Sequence, residues 1–311
     1  MLTIIIAIFS ILALLCLIRI RYEINALSVT RYEVCQSRLP KEANGTNFLV
    51  IADLHSNLFG AGNSLLVKKI DEIHPDFIII AGDLFISKEY SFDIAYDLLT
   101  NISKKYTIYY GFGNHEQKLQ MFEKEVKIKN EYTNKYAKDN HRMIQSFHEF
   151  ITKVRDLGVI VLDNNDSIIE LENQKKIRIF GGSIGLEYFK RFQRPNMTLE
   201  YLESQFSKSS TSDYEILIAH NPMYFKVYSQ WGADLVLSGH IHGGMVRLPW
   251  LGGIISPQMQ IFPKYDGGLY TWDKDGKESK MIVSRGLGIH TLKIRLWNRP
   301  ELVHVTLLHK D

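Results

Sequence analysis

Seven side chains able to ligate a metal each follow a short apolar run. Asp53 and His55 come after residues 48–52, Asp83 after 77–81 and Asn114 after 106–110. His220 follows 215–219, and His240 and His242 follow 235–237. The donors are carboxylate, imidazole and amide oxygen without thiolate, a set that suits Mn, Fe, Zn and similar divalent ions. Two carboxylates and four imidazoles exceed what one tetrahedral zinc takes. A pair of ions about 3.5–4 Å apart accommodates them, and such a pair clamps the attacking and leaving oxygens of an in-line displacement. Two divalent ions bring roughly +4 while Asp53 and Asp83 return roughly −2, so the site keeps positive charge and favours an anionic substrate such as a phosphate.

These residues need a scaffold that gathers positions from 53 to 242 into one cavity. Open α/β sheets do this, because sites form outside the carboxyl ends of strands, where several loops converge. The apolar runs are short and separated by helical patterns. In residues 64–73, for example, Leu65, Leu66, Ile70 and Ile73 recur at helical spacing, and Pro75 follows. Runs of this kind, with 177–180 among them, are what a sheet covered on both faces requires. On an extended chain Asp53 and His55 point to the same side, as do His240 and His242, so each pair is expected to offer two ligands without bending the backbone. Glycines at 82, 113, 239, 243 and 244 allow tight turns and a close approach of metal or phosphate. Residues 116–155 are highly charged and read as a helical excursion over the sheet. Runs 269–272 and 280–283 flank Asp275-Gly276 as a hairpin, and 302–308 reads as a closing strand.

In chain order, Asp53-x-His55, Gly82-Asp83, Gly113-Asn114-His115-Glu116, His220 and Gly239-His240-x-His242 resemble the calcineurin-like metallophosphoesterase superfamily. Each motif alone is weak; five in order are specific. The stretches 243–249, 262–268 and 284–286 are similar to a bacterial, membrane-attached branch. The resemblance implies an α/β fold of four layers, an α/β/β/α sandwich. It implies that Asp53, His55 and His242 hold one metal, that Asn114, His220 and His240 hold a second, and that Asp83 bridges them. It further implies that a hydroxide bridging the ions attacks phosphorus, and that His115 stabilises or protonates the leaving oxygen. Two departures stand out. Ile86 and Ser87 occupy a region where many relatives carry a second acidic residue, and Met245 stands where many bacterial relatives have Gln. Neither is a ligand position, so any consequence is expected on the substrate side.

Glu116 is expected to orient His115 or cap the following helix. Arg285 is the substrate-binding candidate, since a guanidinium suits bidentate contact with an oxyanion; an ordinary loop ion pair is an equal reading. His74, His141, His148, His290, His304 and His309 lie away from the strand-end turns and read as structural or solvent-facing.

The residues therefore favour a metal-dependent hydrolase of phosphoric esters or anhydrides, a phosphodiester or pyrophosphate foremost. A phosphomonoesterase or protein phosphatase uses the same metals and histidine. A non-catalytic, membrane-anchored metal-binding scaffold would be marked by a lost ligand or a lost acid histidine, and neither is lost here. The net charge of +3 over 311 residues does not suggest a standing nucleic-acid partner. Two cysteines, Cys16 and Cys35, exclude a disulfide framework and a thiolate zinc site.

Residues 2–18 are apolar apart from Thr3 and Ser10, and at about 1.5 Å per residue they reach across most of a ~30 Å hydrocarbon core. No Lys or Arg precedes the run and no small-residue cut site follows it, which favours a retained, single-pass anchor over a cleaved leader. Arg19, Arg21, Arg31, Arg38 and Lys41 all follow it, and the positive-inside tendency then favours the catalytic domain on the cytoplasmic side of the cell membrane, with the extracellular side as the alternative. The expected division is an anchor over 1–20, a juxtamembrane segment over 21–46 and a catalytic domain over 47–311. A membrane-proximal site suggests a lipid-linked phosphate substrate.

Overall fold

A computed structural model describes all residues except 130–134, 192–193, 208–212, 258, 275 and 290–291, together with the side chains outside 124–140 and 274. The chain begins with helix α1 (Leu2–Asn25). There follow β1 (Ser28–Gln36), β2 (Asn47–Ile51), α2 (Ser64–Ile73), β3 (Phe77–Ala81), α3 (Asp93–Ile102) and β4 (Thr107–Gly111). Helices α4 (Asn114–Lys129) and α5 (Lys135–Asp156) lead to β5 (Ile160–Leu162). The second half runs β6 (Asn165–Glu170), β7 (Lys176–Gly181), α6 (Leu199–Gln205), β8 (Tyr214–Ile218), α7 (Phe225–Trp231) and β9 (Leu235–Ser238). It ends in β10 (Val246–Leu248), β11 (Gly252–Ile255), β12 (Gly268–Lys274), β13 (Lys277–Val283) and β14 (Glu301–His309).

Two six-stranded sheets form, in the orders β1-β14-β2-β3-β4-β5 and β12-β13-β9-β8-β7-β6. Within them β2, β3, β4 and β5 are parallel, as are β7, β8, β9 and β13. The side-chain period of two explains why the central strands are apolar throughout. Phe48, Val50 and Ile79 face the second sheet and meet Ile179, Ile216 and Leu237. Their neighbours Leu49, Ile51, Ile78 and Ile80 face outward and pack under Leu66, Ile70, Leu98, Leu99, Phe147 and Phe150 of α2, α3 and α5. On the other side Phe180, Leu217 and Val236 pack under Leu202, Phe225 and Tyr228 of α6 and α7. The result is the four-layer α/β/β/α sandwich. Each such Leu, Ile or Phe contributes about 1.5–3 kcal/mol by leaving water, and truncation to alanine costs more because a cavity remains.

The juxtamembrane segment 21–46 contains a strand: β1 lies parallel to β14 in continuous register from Ser28↔Glu301 to Gln36↔His309, so the sheet begins at Ser28. Its edge position leaves it half-exposed, and the weak alternation in Ser28–Gln36 hid it. Helix α1 likewise continues past residue 20 to Asn25 and buries Glu23 in the domain. The charged excursion holds the helices α4 and α5. The short strands β5, β6, β10 and β11 were not expected, being brief or largely exposed. The hairpin forms as β12–β13, while Asp275 of its turn and His290 lie outside the described residues.

Candidate metal centre

The loops at the carboxyl ends of β2, β3, β4, β8 and β9 converge, and six of the seven sequence candidates, with His115, bring their ligand atoms together there. Three sets of side chains have ligand atoms within 4.8 Å of one another: Asp53, His55 and His242; His55, Asp83 and His115; Asp83, His220 and His240. His55 Nε2 and His242 Nε2 lie 3.2 Å apart. Asp53 Oδ1 is 3.5 Å from His242 Nε2 and 3.6 Å from His220 Nε2. Asp83 Oδ2 is 3.1 Å from His220 Nε2 and 3.9 Å from His55 Nε2. Asp83 thus faces both ligand groups. Asn114, the first residue of α4, is buried and directly precedes His115, whose N–H bonds to Asp83.

The local backbone departs from the extended chain that the spacing suggested. Asp53, His55, Asp83, His240 and His242 all take positive φ, between 46° and 71°. Strand β2 ends at Ile51, and the following loop hydrogen-bonds to the turn after β3 through Asp53 N–H to Gly82 O and His55 N–H to Asp83 O. Left-handed turns, not extended pleating, bring each pair of ligands to one cavity. For residues with a Cβ this conformation costs roughly 1–2 kcal/mol each, and its concentration at five ligand candidates is the kind of strain that collects at functional sites. Glycines make the approach possible. A Cβ on Gly113 would overlap the Asp83 carboxylate, and one on Gly239 would overlap that of Asp53.

Surrounding groups fix the rings of His220, His242 and His115. His220 Nδ1 donates to Ala81 O at 2.7 Å and His242 Nδ1 to Gly288 O at 3.1 Å, which leaves each Nε2 turned to the carboxylates. The Ser87 N–H donates to His115 Nδ1 at 2.9 Å, so the His115 proton resides on Nε2. The His115 N–H donates to Asp83 Oδ1 at 2.8 Å, and the His240 N–H donates to both Asp53 oxygens at 3.1 Å. Glu116 neither orients the His115 ring nor faces the cavity. Its carboxylate accepts from the N–H groups of Asp83, Leu84 and Gly113 and from the Tyr110 hydroxyl, tying the turn after β3 to the start of α4.

The electrostatics are those of a site that demands cations. Burial pushes the Asp53 carboxyl up to about 7, with His220 opposing and Asp83 adding to the rise. Burial also works against ionised Asp83, but His220, His115 and His55 outweigh it and hold that carboxyl well below the usual range. His220 is pushed up to about 10: burial disfavours its charge, and Asp83 and Asp53 more than compensate. An imidazolium therefore balances the buried carboxylates when no ion does. The Asn114 side-chain oxygen is buried with no hydrogen-bond partner among the described residues, a position that costs about 1–3 kcal/mol unless something else satisfies it. A divalent ion fits that oxygen, this charge and this thiolate-free donor set.

Arg285, the substrate-binding candidate, is held in an ion pair with Glu301. Its Nε and Nη2 donate to Glu301 Oε2 at 2.8 and 2.5 Å, its backbone N–H donates to Glu301 Oε1, and Nη2 also reaches Thr30. It is the loop ion pair. Two positioning residues escaped the sequence reading. Arg295, fully buried, donates through Nη2 to the carbonyls of Arg285, Gly286 and Gly288, and so holds the loop on which His242 rests. Asn298 donates through Nδ2 to His242 O and Gly244 O. Nothing in the run 295–300 marks either residue as special.

A family model described as calcineurin-like phosphoesterase matches residues 46–244. An uncharacterized metallophosphoesterase of Campylobacter jejuni, Cj0846, is 23% identical over 92% of this chain, which spans 65% of that protein's length. The UDP-2,3-diacylglucosamine pyrophosphatase LpxG of Chlamydia muridarum is 22% identical over 93% of this chain and 91% of its own. The phosphodiesterase YaeI of Escherichia coli is 24% identical over 84% of this chain and 81% of its own.

Proposed function

Because the chain belongs to the calcineurin-like phosphoesterase family, we propose that it hydrolyses a phosphodiester or pyrophosphate bond with two divalent ions held in this cavity. The observation that carries the reading is the place of Asp83, whose carboxylate belongs at once to the His55–His115 group and to the His220–His240 group. In this reading Asp53, His55 and His242 hold one ion, Asn114, His220 and His240 the other, and Asp83 both. When bound, the ions supply Lewis-acid charge for the phosphoryl oxygens and lower the pKa of water in the site.

The remaining chemistry belongs to the chain. His115 carries its proton on Nε2, because Nδ1 is occupied by the Ser87 N–H, and donates that proton to the leaving oxygen. The His115 N–H holds one Asp83 oxygen, so acid and bridging carboxylate keep a fixed separation. Asp53 is set by the His240 N–H, and the Nε2 atoms of His220 and His242 are aimed by carbonyls behind them. Few of these groups need to move during the reaction, the condition under which fixed dipoles lower a barrier most.

The printed names of LpxG and YaeI support an anhydride or a diester as the bond cleaved. Helix α1 is long and apolar enough to cross a bilayer, and its first turns are exposed. We therefore read the enzyme as single-pass, with Arg19, Arg21 and Arg31 placing the domain on the cytoplasmic side, and its substrate as lipid-linked. The test is a screen of the metal-loaded full chain against phosphomonoesters, phosphodiesters and nucleotide–lipid anhydrides. Turnover of diesters or anhydrides at least about tenfold above monoesters, roughly 1.4 kcal/mol of discrimination, is expected. A preference for monoesters would overturn the substrate class, and no turnover of any would overturn the enzyme.

A further inference from the structure

The exposed apolar side chains of the domain are unevenly spread. Trp250 is fully exposed (102%), Ile261 68%, Leu251 63%, Phe262 58% and Trp297 51%. They are not scattered: Trp250, Leu251, Phe262 and Trp297 rim one open cleft of about 670 Å³, together with Arg247 and Lys264. Leaving such side chains in water forgoes about 1.5–3 kcal/mol apiece, so a contiguous group of them marks a contact surface.

The position of this surface in the fold says what it contacts. The loop carrying Trp297 is stitched to the end of α1. The Asn298 N–H donates to Glu23 Oε2 at 2.8 Å, and Arg299 donates through Nε and Nη2 to the carbonyls of Ala26 and Leu27 at 2.9 and 3.2 Å. The aromatic rim therefore lies around the point where the apolar helix leaves the domain. Exposed Arg21 and Tyr22 directly precede Glu23 on α1, Lys264 lines the cleft, and exposed Lys293 lies on the chain shortly before Trp297. Tryptophan and tyrosine with Lys and Arg are the composition of a membrane–water interface, where an amphipathic ring has one side apolar and the other wet.

We propose that this rim is a second membrane contact: Trp250, Leu251, Ile261, Phe262 and Trp297 bed into the headgroup layer of the bilayer that α1 enters, and Lys264 and Lys293 face its anionic lipids. Such a contact sets the domain's tilt, which a single helix cannot do. It also couples the bilayer to the metal centre through one residue. Asn298, held by Glu23 at the helix end, grips the carbonyls of His242 and Gly244 with its side chain. The proposal rests on the reading of α1 as a membrane helix, and its test separates the two.

The full chain is reconstituted into phosphatidylcholine vesicles containing phosphatidylglycerol, with bromine on the acyl chains close to the headgroup. Tryptophan fluorescence is compared with that of W250F/W297F, which keeps the buried Trp231 and the half-buried Trp272. Quenching in the wild type that is absent in the double variant, and weaker without phosphatidylglycerol, supports the docking surface. Alkaline extraction of the same vesicles reports on α1 alone. Retention with equal emission in brominated and plain vesicles overturns the docking surface and leaves the anchor standing. Quenching with release on extraction supports the surface and overturns the anchor.

Discussion

Glu116 holds Asp83 from behind: its carboxylate accepts the Asp83 backbone N–H at 3.0 Å, while the Asp83 carboxylate faces the opposite way, into the ligand cavity. Two acids thus sit back to back around one turn, one fixing the chain and one offered to the ions. Burial, with the Asp83 charge, pushes the Glu116 carboxyl up to about 7. Glu116→Ala strands three backbone N–H groups and the Tyr110 hydroxyl in a buried setting, at roughly 1–3 kcal/mol per orphaned group. A melting temperature lower by several degrees and a metal affinity weaker by about 10–100-fold are expected, read by calorimetry on the full chain. An unchanged metal affinity would show that the turn does not need this support.

Asp83→Asn keeps the shape of the side chain and removes its negative charge and one of its two acceptor oxygens. Turnover of a chromogenic phosphodiester is expected to fall by on the order of 10²–10³ or more, with folding judged intact by circular dichroism. Wild-type turnover in this variant would remove Asp83 from the mechanism.

His115→Ala takes away the proton donor while leaving the ligands in place. Loss of a general acid costs about 10²–10⁴ when the leaving group is a poor one, and much less for a nitrophenolate that departs unaided. The measurement is kcat across a series of aryl and alkyl diesters. A uniform loss across the series would assign His115 to binding rather than to protonation. Ser87→Ala should stay within a few-fold of wild type, because it removes the hydroxyl 3.0 Å from His115 Nδ1 but keeps the backbone N–H that donates to the same nitrogen at 2.9 Å.

Removal of the ions should destabilise the fold. At an ion concentration about 100 times Kd, binding adds about 2.7 kcal/mol, so a chelator is expected to lower Tm by roughly 5–10 °C. Differential scanning fluorimetry with and without excess manganese checks this. Identical Tm values would mean that the cavity does not bind the ion.

Much of the centre could be read in the chain because its geometry is imposed by topology. A ligand at the carboxyl end of a buried parallel strand has one direction to go, and Asp53, Asp83, Asn114, His220 and His240 each sit just past such a strand. What lay beyond the sequence is whatever depends on the third dimension. The left-handed φ of Asp53 and His240 replaced the extended pairing that the spacing suggested. Glu116 points at amides brought up by β3, and Arg285 is neutralised by Glu301 from a strand still to come. Strand β1 is legible only beside β14, since its alternation is too faint alone. Arg295 and Asn298 read as ordinary loop residues until the carbonyls they hold are in view.

The most direct measurement is the metal content of the full chain, by elemental analysis after loading with manganese and dialysis. About two ions per wild-type chain are expected, with one or fewer in Asp83→Asn, because that carboxylate faces both ligand groups. A wild-type chain that holds no more than one ion, or an Asp83→Asn variant that still holds two, would contradict the paired-ion centre.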